Sequence, residues 1–235
     1  TPTSILPADI AKVSKRPKLA VIIDDFGYSM NETITGFISL KEAFTAAVIP
    51  GRPYSTQVDE RLNNRSIQTL IHMPMVTVTN STSEPEYALS EDLSDGEIVR
   101  RLKKARKDVP RAIGMNNHQG SGGTQSRKVM TGVTGFLAEQ KMFFIDSRTI
   151  AASVGETVAR ERYVPTNSRD VFLDEVDDQE AIAGELFRLT RIAKEQGEAI
   201  GIGHCRPNTL KTLKKYLPAL AEAGFDLVPV SKLAK

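Results

Sequence analysis

Four short apolar runs in this chain end at residues that can ligate a metal or transfer a proton. One run leads into the acid pair Asp24-Asp25, and the other three lead to His72, His118 and His204. Apolar runs of this length are typical of buried parallel strands. Where such strands alternate with helices, their carboxyl ends meet on one face, and chemistry is placed there. All three histidines of the chain therefore fall at predicted strand ends.

The apolar runs alternate with amphipathic segments, which predicts seven or eight strands separated by helices. The predicted strands are 19–24, 43–49, 67–72, 111–115, 142–145, 171–173, 199–204 and 225–230. The predicted helices are 34–40, 55–63, a segment after Ser94, 128–140, 179–196 and 209–223. Ser94 and Glu97 form a capping-box pattern, and Asn208 is placed to cap the last helix. The segment 76–91 has no clear period, which predicts a long loop over the active face.

Length and alternation favour one α/β domain. A chain of 235 residues is long enough to bury a full core, and we expect a tail or linker over 1–17 and a single domain over 18–235. Both an α/β barrel and a doubly wound sheet fit the alternation. A barrel is favoured because its strand ends surround one pocket, whereas in an open sheet they spread along a line.

Charge, cysteine content and hydropathy exclude several classes of protein. The net charge of +2 is too small to indicate a nucleic-acid partner. Cys205 is the only cysteine, so no disulfide can form within the chain. No apolar stretch reaches the roughly 20 residues that cross a bilayer, so no transmembrane segment is predicted. The chain begins at Thr1 without a signal peptide, and its first segment is expected to be a remnant of processing or truncation.

The acid pair and the histidines form a candidate metal and proton-transfer site. Adjacent carboxylates repel each other, so one is expected to bind a cation and the other to act as a base. One Asp and two His leave coordination positions open for water. Such mixed ligation suits Zn²⁺, with Mn²⁺, Fe²⁺, Co²⁺ and Ni²⁺ as alternatives. A bound ion would make water more acidic and polarise a carbonyl, while the remaining His and Asp supply acid and base.

Each of these residues also has a purely structural interpretation. A strand-end Asp can cap the following turn, and a lone His is more often a satisfied structural residue than a ligand. The segment 114–123 around His118 can be a flexible polar turn, although its glycines allow close approach of a ligand. Three histidines and an acid pair at four strand ends favour the functional interpretation. Asp146 adds a carboxylate at a fifth strand end, followed by Ser147 and Arg148.

Five motifs, in order, give the chain a resemblance to a known family. They are Ile22-Ile23-Asp24-Asp25-Phe26-Gly27, Ile71-His72-Met73-Pro74-Met75, 114–121, 143–149 and Ile202-Gly203-His204. On these motifs the chain resembles the polysaccharide deacetylase superfamily, and more closely the divergent polysaccharide deacetylase family of bacterial envelope proteins. The resemblance implies a distorted (β/α) barrel of about seven strands. It also implies metal-dependent removal of N- or O-acetyl groups from glycans.

The resemblance further implies a role for each matched residue. Asp24 would be the catalytic base, and Asp25 would bind the metal. His72 would be the first metal-binding histidine, and His204 would be the general acid. The residues expected to bind substrate or support the site are Asn116, Asn117, Ser121, Asp146 and Arg148.

The chain departs from the superfamily pattern at two places. The second metal-binding histidine of the superfamily follows the first by four residues, where this chain has Val76. We predict that His118 supplies the missing ligand, so that the metal set is Asp25, His72 and His118. The arginine-proline motif of the fourth strand is replaced by Asn-Asn-His at 116–118.

Two functions from different classes fit these residues. The first is a metal-dependent hydrolase, with zinc favoured, that removes acetyl groups from a bacterial envelope polysaccharide or glycan. The second is a non-catalytic glycan- or partner-binding protein on a degenerate deacetylase scaffold. The two departures favour the second, whereas the retention of both aspartates and all histidines favours the first. Hydrolysis of other amides or of phosphoesters also fits, and the resemblance implies a periplasmic or cell-envelope location.

Overall fold

A computed structural model of the protein describes residues 2–11 and 15–235. The strands of the described residues are β1 (Lys18–Phe26), β2 (Thr45–Val48), β3 (Gln68–Met75), β4 (Gly114–Gln119), β5 (Phe143–Asp146), β6 (Thr166–Ser168), β7 (Val171–Phe172), β8 (Glu198–His204) and β9 (Asp226–Leu227). Of the tail predicted over 1–17, residues 1 and 12–14 lie outside the described residues.

Helices separate most of these strands. They are α1 (Glu32–Ile38), α2 (Ser55–Asn63), α3 (Asp95–Asp108), α4 (Arg127–Gln140), α5 (Gly155–Glu161), α6 (Gln179–Gln196) and α7 (Pro207–Ala223). Short 3₁₀ segments lie at Pro2–Ile5, Gly123–Gln125 and Val230–Lys232. In the described part of the chain, no helix combines the length and the apolar character needed to cross a membrane.

Helix boundaries follow capping signals in the sequence. The Ser94 hydroxyl accepts a hydrogen bond from the Glu97 backbone N–H, as the capping-box pattern predicts. The Asp178 carboxylate caps α6 in the same way. That helix ends at Gly197, whose φ of 88° lies in the left-handed region that favours glycine.

The chain divides into two compact units. The first comprises the described part of Thr1–Asp24, with Met30–Thr45 and Arg169–Leu233. Its strands are parallel in the order β7-β8-β1, and β9 also pairs with β1. The register places Asp24 opposite His204. Helix α6 packs on β8 and α7, burying Ile182, Leu186 and Leu189.

The second unit comprises Asp25–Ser29, Ala46–Ser168 and Ala234–Lys235. Its strands follow the order β2-β3-β4-β5-β6, and β3 to β6 pair in parallel. The register places His72 opposite Asn116, and Pro74 opposite His118. Two neighbouring strands therefore bring both histidines to the same end of the sheet.

Strand β3 continues through Pro74 to Met75, three residues beyond the end of the predicted strand 67–72. Proline has no N–H to donate. Its carbonyl oxygen nevertheless accepts a hydrogen bond of 2.9 Å from the N–H of Leu89, and Val76 donates to the Leu89 carbonyl. The loop backbone thus extends the pairing beyond the predicted end of the strand.

Strand β4 begins at Gly114 and ends at Gln119, later than the predicted strand 111–115. The difference arises because Asn116 and Asn117 are buried. A buried amide must be hydrogen-bonded, and its polarity conceals a strand from a search for apolar runs. His118 therefore lies within a strand, and the alternative of a flexible polar turn around it is wrong.

Other parts of the structure also differ from the sequence-based expectation. Helix α7 begins at Pro207, so the prediction that Asn208 caps it is wrong; proline suits a first helical turn, where no N–H is needed. The last strand is shortened to Asp226–Leu227. Helix α5 and strand β6 lie in a segment where no element was predicted.

Candidate metal centre

Three side chains from distant parts of the sequence converge in the second unit. Asp25 lies in β1, His72 in β3 and His118 in β4. The Oδ1 atom of Asp25 lies 3.2 Å from Nδ1 of His118 and 3.5 Å from Nε2 of His72. The two nitrogen atoms lie 3.1 Å apart. The structure thus brings together the three residues that were predicted as metal ligands.

The spacing of these atoms fits a small divalent cation. Ligands about 2.0–2.1 Å from a tetrahedral zinc ion lie about 3.3 Å from one another, and the three observed distances bracket that value. The Oδ1 atom of Asp25 is buried and has no partner with hydrogen-bond geometry among the described residues, a need that a cation would meet. Three protein ligands would leave coordination positions open for water or substrate.

The backbone turns sharply at Asp25. Its φ of 66° lies in the left-handed region, which Asp tolerates better than most residues. Two residues later, Gly27 has a φ of 116°. A Cβ atom there would lie 3.0 Å from the carbonyl oxygen of Ile49, so the turn that sets the direction of Asp25 depends on glycine.

The ring of His72 is oriented by a contact at Nδ1, on the opposite side of the ring from Nε2, the proposed metal-binding atom. Its Nδ1 lies 2.9 Å from Oδ1 of Asn116, whose amide nitrogen donates to the Ser147 hydroxyl. An amide oxygen can only accept, so Nδ1 of His72 carries the proton and Nε2 keeps a lone pair. Ser147 is held in turn by its hydroxyl and its N–H, both of which donate to oxygens of Asn117. Buried amides of β4 therefore fix the orientation of the His72 imidazole.

His118 has a similar support, from a residue that the sequence did not reveal. Its Nε2 lies 3.3 Å from Oε2 of Glu84. The other Glu84 oxygen accepts a hydrogen bond of 2.6 Å from the Tyr28 hydroxyl. The Arg52 guanidinium lies 3.0 Å from that same oxygen. Glu84 thus connects the loop 76–91 to the cluster.

The pKa values in this cluster follow from burial and charge. Burial alone would raise the pKa of Asp25, but its contacts with His118 and His72 hold it well below its usual range. Burial disfavours the charged form of His118, yet Asp25 and Glu84 raise its pKa to about 9. For Glu84, burial is outweighed by His118 and Tyr28, which lower its pKa. The carboxylates around His118 therefore favour a positive charge there, carried by a proton or by a metal ion.

The two predicted proton-transfer residues lie in the first unit. Asp24 is buried and stands opposite His204 in the register of β1 and β8. Oδ1 of Asp174 lies 2.8 Å from Nδ1 of His204, and Oδ2 accepts the His204 N–H at 2.7 Å and the Thr209 hydroxyl at 2.6 Å. A carboxylate can only accept, so Nδ1 of His204 holds a proton.

Asp146 and Ser121, two further predicted site residues, make their hydrogen bonds within the second unit. The buried carboxylate of Asp146 accepts the backbone N–H of Arg148 at 2.8 Å and the Ser153 hydroxyl at 2.6 Å. The hydroxyl of Ser121 accepts the N–H of Val78 at 3.1 Å. Asp146 therefore organises the loop after β5 and does not join the three-residue cluster.

Comparison with known sequences identifies the family. A family model described as divergent polysaccharide deacetylase matches residues 21–234. The chain belongs to this family. An uncharacterized protein of Haemophilus influenzae is 36% identical over 216 residues, which cover 92% of this chain and 76% of that protein.

Several solved structures share the fold of this chain at low sequence identity. An uncharacterized protein of Agrobacterium tumefaciens matches with a TM-score of 0.88 and 19% identity, over 94% of this chain and 90% of that chain. A CE4 family pseudoenzyme from Bacillus anthracis matches with a TM-score of 0.60 and 14% identity, over 94% and 66% of the two chains. These likenesses concern the fold alone. The predicted fold class, an α/β distorted (β/α) barrel of the deacetylase type, is confirmed.

Two residues of this deacetylase-family protein that contact the candidate site residues His204 and His118 were not predicted from the sequence. Asp174 directly follows the predicted strand 171–173, so the strand-end pattern contained a usable signal for it. Glu84 lies in an aperiodic loop and reaches His118 only through the folded chain. No local pattern identifies such a residue.

Proposed function

We propose that this protein is a metal-dependent hydrolase that removes acetyl groups from a bacterial envelope polysaccharide or glycan. The observation that carries the proposal is the convergence of Asp25, His72 and His118, with ligand atoms 3.1–3.5 Å apart. Membership of the divergent polysaccharide deacetylase family supports the reaction class and the glycan substrate. The same membership supports a periplasmic or cell-envelope location as part of the proposal.

The three clustered side chains would hold the ion, and zinc is favoured for one carboxylate and two imidazoles. When bound, the ion supplies a Lewis acid that polarises an acetyl carbonyl and makes a water molecule more acidic. Contacts within the protein would orient the ligand atoms for the ion. Asn116 directs Nε2 of His72 into the centre, and Glu84 lies against the far nitrogen of His118.

Asp24 and His204 are the proposed base and acid. Asp24 would take a proton from the attacking water. His204 would donate a proton from Nε2 to the leaving amine or alcohol. Asp174 holds the other ring nitrogen at 2.8 Å and would stabilise the imidazolium that this exchange requires. Asp174 is therefore proposed as a positioning residue for the acid.

Acetate release tests the proposal. Zinc-loaded protein would be incubated with N-acetylglucosamine oligomers and with O-acetylated xylan fragments, and free acetate would be measured. We expect release that falls by at least about 100-fold in Asp24→Asn, since the variant lacks the base. The matched control is Glu86→Gln, an exposed carboxylate of the second unit. Equal release by Asp24→Asn and the wild type would contradict the assigned role.

Non-catalytic glycan binding is the second candidate function. Val76 in place of the usual second histidine favours it, as does the shared fold with a CE4 family pseudoenzyme. This candidate predicts that the zinc-loaded protein binds the same oligosaccharides and releases no acetate from any of them. The acetate assay therefore separates the two functions directly.

A further inference from the structure

Glu84 is a buried carboxylate whose two oxygens face different partners. Oε1 accepts the Tyr28 hydroxyl at 2.6 Å and lies 3.0 Å from the Arg52 guanidinium. Oε2 is buried without a hydrogen-bond partner among the described residues, and it lies 3.3 Å from Nε2 of His118. The first oxygen thus faces two donors. The second lies close to Nε2 of His118, which is also buried without a hydrogen-bond partner among the described residues.

The two nitrogens of His118 face different charges. Asp25 and His72 lie against Nδ1, at 3.2 Å and 3.1 Å, whereas Glu84 lies against Nε2. A neutral imidazole carries its single proton on one nitrogen and a lone pair on the other. An ionised carboxylate can only accept, so Glu84 favours the proton on Nε2.

We propose that Glu84 is a positioning residue that fixes the tautomer and the ring orientation of His118, so that Nδ1 faces the metal. The inference rests on the proposed function, because it requires a metal at the cluster. Carboxylates that hold the far nitrogen of a ligating imidazole orient it and increase its basicity. This role explains how His118, on β4, can act as the second metal-binding histidine. The usual position of that histidine is occupied here by Val76, which cannot bind a metal.

The loop 76–91 is thereby coupled to the metal centre. The carbonyl oxygen of Glu84 accepts the N–H groups of Tyr87 and Ala88, at 3.0 Å and 2.9 Å, which fixes a turn around Glu84. Its neighbour Arg52 stacks on the Tyr28 ring, 5.1 Å from the ring centroid. A metal held by His118 would therefore favour one placement of this loop, and the loop would favour metal binding.

Zinc affinity measured by competition with a chelator tests the inference in the full chain. We expect Glu84→Ala to bind zinc about 10–100-fold more weakly than the wild type, as is typical when such a support is removed. Glu84→Gln keeps the shape of the side chain, but one of its two oxygens becomes an NH₂ group that can only donate. That group must face either the donors on Oε1 or the N–H of His118, so we expect this variant also to bind zinc more weakly. The control Glu86→Gln removes a carboxylate that is 80% exposed and contacts Lys104, and we expect it to bind zinc as the wild type does.

The protonation of the His118 ring separates positioning from mere stabilisation. In the zinc-loaded wild type, ¹⁵N NMR should show the His118 proton on Nε2, and the Glu84 variants should lose this single tautomer. Wild-type zinc affinity in both folded Glu84 variants would overturn the inference and leave the proposed function intact. If Glu84→Ala does not fold, the zinc affinity of Glu84→Gln alone tests the inference. A wild-type protein that binds no zinc would overturn both proposals.

Discussion

Nδ1 of His118 lies 3.1 Å from Nε2 of His72, which is close for two nitrogen lone pairs unless a proton or a cation lies between them. Asn116 holds the proton of His72 on the far side of its ring. Glu84 favours the same arrangement in His118. In two neutral rings held this way, both lone pairs would face Oδ1 of Asp25, where a cation could bind all three atoms. Without a cation, a proton on Nδ1 of His118 would fill the same space.

Removing His118 tests whether it replaces the ligand missing at Val76. We expect His118→Ala to weaken zinc binding by more than about 100-fold, since losing a ligand costs more than losing its support. Calorimetric titration of the metal-free protein measures this. His204→Ala is the matched control, because His204 is not part of the three-residue cluster. Unchanged affinity in His118→Ala would show that His118 is not a ligand.

The amides that orient His72 should show a graded effect. Asn116→Ala removes the acceptor 2.9 Å from Nδ1, and we expect zinc affinity to fall about 10–100-fold. Ser147→Ala removes only a hydroxyl that accepts from the Asn116 amide, so a smaller loss is expected. Chelator competition on both variants provides the comparison. A larger loss in the serine variant would contradict the proposed order of support.

Asp174 should make part of the stability depend on pH. Burial by itself would raise its pKa, but its contacts with His204 lower it below the usual value. A carboxylate whose folded pKa is lowered stabilises the protein above the unfolded pKa, and that stability is lost as the pH falls through the folded pKa. We expect Asp174→Asn to lower the free energy of unfolding by about 3 kcal/mol at neutral pH.

Urea denaturation with a chelator present checks this prediction. The difference between wild type and Asp174→Asn should shrink as the pH falls below about 4. Asp25 also has a lowered pKa, but it is present in both proteins, so its contribution cancels. A difference that grows between about pH 4 and about pH 2 would contradict the assignment.

Variants of the proposed base and acid should separate chemistry from metal binding. We expect Asp24→Asn and His204→Ala to retain wild-type zinc affinity and to lose acetate release, each by about 100-fold or more. Parallel assays of zinc content and acetate on the same samples measure both effects. Loss of zinc from His204→Ala would show that this histidine acts at the centre as a ligand.

The apolar strands predicted an α/β fold, and the residues at their ends made Asp25, His72 and His118 candidates for a site. The resemblance to the deacetylase superfamily implied the distorted barrel and the metal-binding roles of Asp25 and His72. Helices α2 and α6 were predicted with the observed bounds, since each combines an apolar face with clear polar ends. The position of β4 was not, because buried Asn116 and Asn117 interrupt its apolar pattern. Polar residues that are satisfied only in the folded state leave no periodic signal.

The supports of the candidate site were less predictable than its ligands. Glu84 reaches His118 from a loop whose path depends on long-range contacts, including Arg101 with the carbonyl oxygen of Ala88. Asp146, by contrast, lies at a strand end as predicted, but its carboxylate oxygens accept hydrogen bonds from Arg148 and Ser153. A strand-end carboxylate therefore indicates a candidate, and only the folded structure shows which partners it has.

Anomalous diffraction from crystals grown with zinc would show whether Asp25, His72 and His118 bind a metal ion. We expect one zinc peak within coordination distance of Oδ1 of Asp25, Nε2 of His72 and Nδ1 of His118, with Glu84 outside the coordination sphere. A wild-type crystal with no zinc peak at this cluster, or with zinc bound elsewhere and not at these three atoms, would contradict it.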